Sequence, residues 1–230
     1  MVSYDYRGES RNKYELNMQR KEIGGRARHD VRCPNYFGQQ RRPNRSSGFR
    51  QSGRRHDAEG ILTRFPVVET ANLDYLARDA DAAVARVEIE GRQLDFYVTH
   101  LYGSREEDPL RHYQVQQFLA WIGARNDVSN QVVCGDFNAT TDKPSAMRMA
   151  DAFRPSQIQP TAFTALKEPG GQPSHPYWDR LDRFIDYVWV SRDLRVVDSG
   201  LCFDRPSADY ADLWPSDNVG AWADLEFAAD

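Results

Sequence analysis

The sequence predicts an α/β sandwich built on largely antiparallel sheets. Three observations carry this. Short β-prone runs recur from about residue 61 to residue 227, only two stretches carry helix punctuation, and several neighbouring runs are joined by hairpin-length turns.

The first 56 residues show no apolar periodicity of either kind. Arg, Gly, Asn, Gln and Ser dominate residues 24–55, and a run such as Arg41-Arg42-Pro43-Asn44-Arg45-Ser46-Ser47-Gly48 buries too little apolar surface to offset its ordering entropy. Residues 1–57 are therefore expected to be a basic, mostly disordered segment, and 58–230 the folded domain. Ile61-Leu62 and Phe65-Pro66-Val67-Val68 read as short strand pieces around a proline turn. In residues 83–90, Val87 and Ile89 share one strand face, with Arg86, Glu88 and Glu90 on the other. Gly91-Arg92 then turns the chain into a second strand, residues 94–100, which ends at His100.

Asp108-Pro109 supplies a capping carboxylate and a first-turn proline, so a helix is expected from there to about Arg125. Its buried stripe is Val115, Phe118, Leu119 and Ile122, with Arg111 and Gln114 outside it. The apolar run Gln131-Val132-Val133-Cys134 leads into Gly135-Asp136-Phe137-Asn138, a buried strand that delivers Asp136 and Asn138 on one face at its end. A second helix runs from Pro144 to about Phe153, and residues 154–180 read as a long surface loop. Strands are expected over residues 184–190, 195–203 and 219–227.

At 230 residues the chain can bury a sizeable core. No apolar run approaches the roughly 18 residues that a membrane span needs. Without an apolar leader segment, a cytoplasmic monomer is the default expectation. The three cysteines, Cys33, Cys134 and Cys202, form no CxxC pair. The net charge of -4 hides an asymmetry: residues 1–56 carry 14 Lys and Arg against 5 Asp and Glu. Subtracting these from the chain totals of 30 and 34 leaves 16 basic and 29 acidic residues in the remainder.

Polar groups with chemical potential sit at strand ends or tight turns: His100, Asp136 with Asn138, Asp186, and Ser216-Asp217-Asn218. Each alone has an ordinary explanation as a turn, cap or ion-pair residue. Asp186 is the hardest to explain so, because Ile185, Tyr187 and Val188 around it imply burial and a buried carboxylate needs a partner.

In order and spacing, Val98-Thr99-His100-Leu101, Gly135-Asp136-Phe137-Asn138, Arg183-Phe184-Ile185-Asp186-Tyr187 and Ser216-Asp217-Asn218-Val219-Gly220 resemble the endonuclease/exonuclease/phosphatase family, which is DNase I-like. Glu59-Gly60-Ile61-Leu62-Thr63-Arg64-Phe65-Pro66 is similar to its strand-turn element, and Arg111 with Gln114 to the helix after its histidine. The similarity covers about Ala58 to Phe227. It implies a four-layer α/β sandwich, two packed sheets flanked by helices, and a phosphoesterase that uses Mg²⁺ or Mn²⁺. By resemblance, His100 donates to a phosphate oxygen, Asp136 orients the nucleophile, Asn138 binds phosphate or holds Asp136, Asp186 orients the residue at 218, and Asp217 binds the metal.

Two positions depart from the family's pattern. Asn218 stands where the family has histidine, and an amide cannot take a proton near neutral pH. The family's first strands, one of them ending in a metal-binding Glu, are not recognisable before Ala58. The expectation is thus a metal-dependent phosphoesterase of weak or no activity. The alternative is a non-catalytic phosphate- or nucleic-acid-binding module with a basic arm. A third reading is that the first 55 or so residues are not the native start of the domain.

Overall fold

The computed structural model describes residues 20–23, 26–33, 59–75, 80–103, 108–156, 183–203 and 218–228, the first two segments by backbone alone. In chain order the elements are β1 (Arg20–Ile23), β2 (Arg26–Cys33), β3 (Val67–Asp74), β4 (Asp81–Ile89), β5 (Arg92–His100), α1 (Asp108–Gly123), β6 (Gln131–Asp136), α2 (Pro144–Ala150), β7 (Arg154–Pro155), β8 (Asp186–Val190), β9 (Leu194–Cys202) and β10 (Gly220–Phe227). They form a six-stranded sheet in the order β3-β4-β5-β6-β8-β7 and a four-stranded sheet in the order β1-β2-β10-β9. Every pairing is antiparallel except β5 with β6, which α1 connects.

Strand alternation separates two cores. On one face of the six-stranded sheet, Val87, Ile89, Phe96, Val98, Val132, Cys134, Val188 and Val190 pack with Leu194, Ala221, Ala223 and Leu225, so the two sheets bury these faces against each other. On the opposite face, Tyr97, Val133, Tyr187 and Trp189 pack with Val115, Phe118 and Ile122 of α1 and Ala146 and Met149 of α2. Burying each such aliphatic or phenyl side chain contributes about 1.5–3 kcal/mol. The described residues thus give three layers, helix on sheet on sheet. The expected outer helices of the four-stranded sheet are not among them.

The element bounds differ from expectation where tertiary pairing overrides local signal. The sequence reading placed no element before Ala58, yet β2 pairs along β10 from Cys33↔Ala221 to His29↔Leu225. Its alternate positions Arg26, Arg28, Asp30 and Arg32 are charged, so no apolar run marks it. Similarly, β3 continues through Glu69–Asp74, where polar residues alternate with Ala71 and Leu73, as an edge strand paired only with β4. Both helices end earlier than expected, at Gly123 and Ala150. The expected loop at 154–180 begins as β7, and residues 157–182 and 204–217 lie outside the described residues. Among the described residues, no helix is long and apolar enough to cross a membrane.

A charge is locked into the helix-side core. Arg86 and Asp95 stand opposite one another in the β4–β5 register. The Arg86 guanidinium donates to both carboxylate oxygens of Asp95, at 2.7 and 2.9 Å, and also to Asp127. Asp95 is fully buried. These bonds hold the Asp127 carboxyl below the usual carboxylate range, so this pairing stabilises the fold at neutral pH and is lost as pH falls through that lowered value. Asp95→Ala, which leaves Arg86 buried with half its partners removed, is expected to cost about 3–5 kcal/mol in urea unfolding. A loss under about 1 kcal/mol would show the pair to be dispensable.

Candidate active site

The site is built by register. In the parallel β5–β6 pair His100 lies level with Asp136, and in the antiparallel β6–β8 pair Asp136 lies level with Asp186. Three strands therefore present histidine, aspartate, aspartate in one row. The row continues the faces that carry Phe96 and Val98, Val132 and Cys134, and Val188 and Val190, so it caps one end of the core between the sheets. Where the apolar rows stop, polar groups begin.

Local features fix this end of the sheet. Gly135 has φ +157°, and a Cβ there would lie 1.8 Å from the Thr99 carbonyl oxygen, so only glycine lets β6 lie this close to β5. Backbone bonds extend past the strands, from Leu101 N–H to the Asp136 carbonyl and from Phe137 N–H to the Ile185 carbonyl, both at 2.9 Å. Beneath them Phe137 meets Tyr187 edge-on and Tyr187 stacks on Trp189. The Tyr187 hydroxyl donates towards the carbonyls of Ala139 and Phe184. Burial pushes that phenol well above its usual range, which keeps it a donor.

Asn218, just before β10, joins the two sheets at the row. Its amide nitrogen donates to Asp136 Oδ2 at 3.1 Å and to Asp186 Oδ2 at 2.9 Å. Two carboxylates fix the orientation of this amide, because its oxygen would repel both. Asp186 is 4%, Asn218 5% and Asp136 9% exposed, so these bonds lie in a desolvated setting. Asp136 Oδ1 accepts from the Asn138 backbone N–H at 2.7 Å. His100 lies between two acids, Nδ1 3.9 Å from Glu59 Oε1 and Nε2 3.8 Å from Asp136 Oδ2. Both gaps exceed direct hydrogen-bond length.

The structure thus brings together His100, Asp136, Asn138, Asp186 and Asn218, while Asp217 lies outside the described residues. Asn138 arrives by another route than strand alternation. Strand β6 ends at Asp136, and Asn138 sits in the left-handed region at φ +51° with its side-chain amide on the Leu101 carbonyl at 2.9 Å. Arg111 and Gln114, read as lying outside the helix stripe, are buried. They stand three or four residues ahead of Val115 and Phe118 and so continue that stripe, a spacing visible in the sequence. Glu59, where the strand-turn motif begins, is buried beside His100.

Oxygen donors of the kind that suits a hard cation are present in Glu59, Asp136 and Asp186. Among the described residues, however, no three His, Cys, Asp or Glu side chains are arranged to hold a metal ion. Asn218 takes an oxygen of each of the two aspartates. The described groups do not make a cation cage.

A profile of the Endonuclease/Exonuclease/phosphatase family matches residues 18–217. This begins well before Ala58 and takes in β1 and β2. No curated protein matches the sequence. Among solved structures, the human Nocturnin catalytic domain with bound sulfate anion is 26% identical at a TM-score of 0.53, over 74% of this chain and 62% of that one. An endonuclease/exonuclease/phosphatase family protein from Bacteroides thetaiotaomicron is 15% identical at a TM-score of 0.55, over 72% and 66%. TDP2 from Caenorhabditis elegans is 19% identical at 0.53, over 71% and 51%. The chain spans less than two thirds of each of these structures, and the last two likenesses speak to fold alone.

Gly135→Ala is the sharpest local test of the row. The clash with Thr99 forces β6 away from β5, which should cost about 1–3 kcal/mol or more and shift the Asp136 resonances in NMR spectra. A variant of unchanged stability and unchanged Asp136 signals would refute the close approach.

Proposed function

The chain belongs to the endonuclease/exonuclease/phosphatase family, and on that premise we propose that the His100, Asp136, Asn138, Asp186 and Asn218 row is a phosphoesterase site in which water displaces the ester oxygen of a phosphodiester or phosphomonoester. The observation that carries this reading is the level placing of His100, Asp136 and Asp186 at one end of the inter-sheet core. Asp136 is held from both oxygens and can take the orientation of a water molecule, because each oxygen keeps a further lone pair. The Nε2 edge of His100 faces the same space and supplies a donor to a phosphate oxygen. Glu59 flanks the other edge of the ring, 3.9 Å from Nδ1. Asn138 ties the turn after Asp136 to the residue after His100.

Asn218 limits the chemistry. It bridges Asp136 and Asp186 by hydrogen bonds but has no titrating proton to accept or deliver. In our reading this makes turnover slow, lowered by a factor on the order of 10²–10⁴ relative to a site with a proton carrier there. Mg²⁺ or Mn²⁺ is the cation we propose, with Asp217 as a ligand on the resemblance alone. No step here is routed through it.

Hydrolysis of bis-p-nitrophenyl phosphate and p-nitrophenyl phosphate tests the site. We expect slow release of nitrophenolate in Mg²⁺ or Mn²⁺, less in a chelator, and none from Asp136→Ala. Residual turnover that Asp136→Ala leaves intact would remove Asp136 from the chemistry. Fast turnover would sink the reading of Asn218 as the limiting group.

The charge asymmetry favours a second reading, in which the basic N-terminal arm brings the site to nucleic acid. We keep residues 58–230 as the body of the domain and 1–57 as this arm, joined through the β2–β10 pairing. Deleting the whole arm would remove two strands, so charge reversal is the cleaner test. Arg41→Glu, Arg42→Glu and Arg45→Glu together should weaken DNA or RNA binding and lower its salt slope by about three. Binding unchanged by the triple variant would exclude this part of the arm.

A further inference from the structure

Strand β5 ends at His100, and the backbone groups just beyond it need partners that the sheet ladder no longer fully supplies. The segment Leu101-Tyr102 obtains them from two directions. From the sheet side, Leu101 N–H donates to the Asp136 carbonyl at 2.9 Å, and the Leu101 carbonyl accepts from Asn138 Nδ2 at 2.9 Å. From the helix side, Tyr102 N–H donates to Gln114 Oε1 at 3.1 Å, and the Tyr102 carbonyl accepts from Arg111 Nη1 at 3.1 Å. All four polar backbone groups of this segment are therefore engaged.

Arg111 is 1% exposed and Gln114 fully buried, an expensive setting for a cation and a carboxamide on the core stripe of a helix. Aliphatic residues at both positions would fill the space without that desolvation. Only long polar side chains can also hold the backbone two residues past the histidine. A further link steadies Arg111: its Nε faces Asp108 Oδ1 at 3.4 Å, and the same oxygen accepts from the buried Ser145 hydroxyl of α2 at 2.6 Å.

We propose that Arg111 and Gln114 are positioning residues for the site. By fixing Leu101-Tyr102 they set where the His100 ring stands and, through the Leu101 carbonyl, where the Asn138 side chain is held. The purpose of this clamp rests on the phosphoesterase reading, whereas its geometry does not. A displacement of about 1 Å at a catalytic group is enough to cost up to 10²-fold in rate, so a clamp of this kind acts on function before it acts on folding.

The test compares Gln114→Met, which keeps the shape and removes the acceptor, with Gln114→Glu, which keeps an acceptor oxygen. Val115→Ala serves as a control that loosens the same helix stripe without removing a hydrogen bond to the segment. Two readouts follow each variant of the full chain: NMR of the Tyr102 backbone amide and the Asn138 side-chain amide, and calorimetric binding of inorganic phosphate. Gln114→Met should speed Tyr102 amide exchange about tenfold, move the Asn138 amide resonances and raise the phosphate dissociation constant about tenfold. Gln114→Glu should restore all three, and Val115→Ala should change none at a comparable loss of melting temperature. If Gln114→Met does not fold, Arg111→Lys, which keeps the charge and shortens the reach to Tyr102, should give the same signature at smaller size. A Gln114→Met or Arg111→Lys variant that behaves like Val115→Ala, or a Gln114→Glu variant that fails to restore the signals, overturns the clamp. If the wild-type chain binds no phosphate, the phosphoesterase reading fails instead, and the amide resonances still decide the clamp.

Discussion

The lateral register of β5, β6 and β8 is the constraint on which the rest of the structure depends. A slip of one residue in any of these strands would turn its side chains to the other face, sending Val132, Cys134 and Asp136 towards the helices and Val133 into the inter-sheet core. Because apolar faces cover both sides of the six-stranded sheet, such a slip is costly on each side at once. The same alternation that secures the cores therefore delivers His100, Asp136 and Asp186 level with one another. Gly135 is the local condition for it, since any side chain there would meet the Thr99 carbonyl.

The electrostatics of the row follow from what closes it. Asp136 and Asp186 are buried and near enough for one amide nitrogen to reach both. Two desolvated carboxylates call for donors, and Asn218 supplies two hydrogens without supplying charge. An imidazolium in that place would supply both charge and a mobile proton. An amide there makes the bridge between the two carboxylates without a mobile proton. His100 is the one imidazole among the described residues that faces the row, and it meets Asp136 from the other side, with Nε2 3.8 Å from Oδ2.

Legibility in the sequence tracked how local each signal was. The apolar run into Gly135-Asp136 marks β6 by itself, and Asp108-Pro109 marks the start of α1. The residue types of the row were readable too, since each stands at the end of a β-prone stretch. Their level alignment was not, because parallel pairing of β5 with β6 joins residues separated by a whole helix. Strand β2 was missed because the face carrying Arg26, Arg28 and Arg32 breaks any apolar run, and its pairing with β10 is a tertiary fact. Arg111 and Gln114 hid for a related reason: polarity was taken as exposure, although their spacing continues the stripe of Val115, Phe118 and Ile122. Arg86 shares a face with Glu88 and Glu90, as its alternation predicts, and its pairing with Asp95 buries it there.

These buried polar groups divide the labour along β5. Near its start, Asp95 is pinned to Arg86 of β4, a bond that fixes the β4–β5 register from one end. Just past its other end, Leu101-Tyr102 is pinned to Asn138 and to α1. Between them the strand is almost wholly buried, so its backbone position is set by packing on both faces. At the His100 end the contacts are to backbone, Arg111 donating to the Tyr102 carbonyl and Gln114 accepting from the Tyr102 N–H, so the segment is held through its main chain. The division explains why one arginine, on β4, is buried by carboxylates and another, on α1, against a carbonyl: the first secures the strand, and the second secures the segment that follows it.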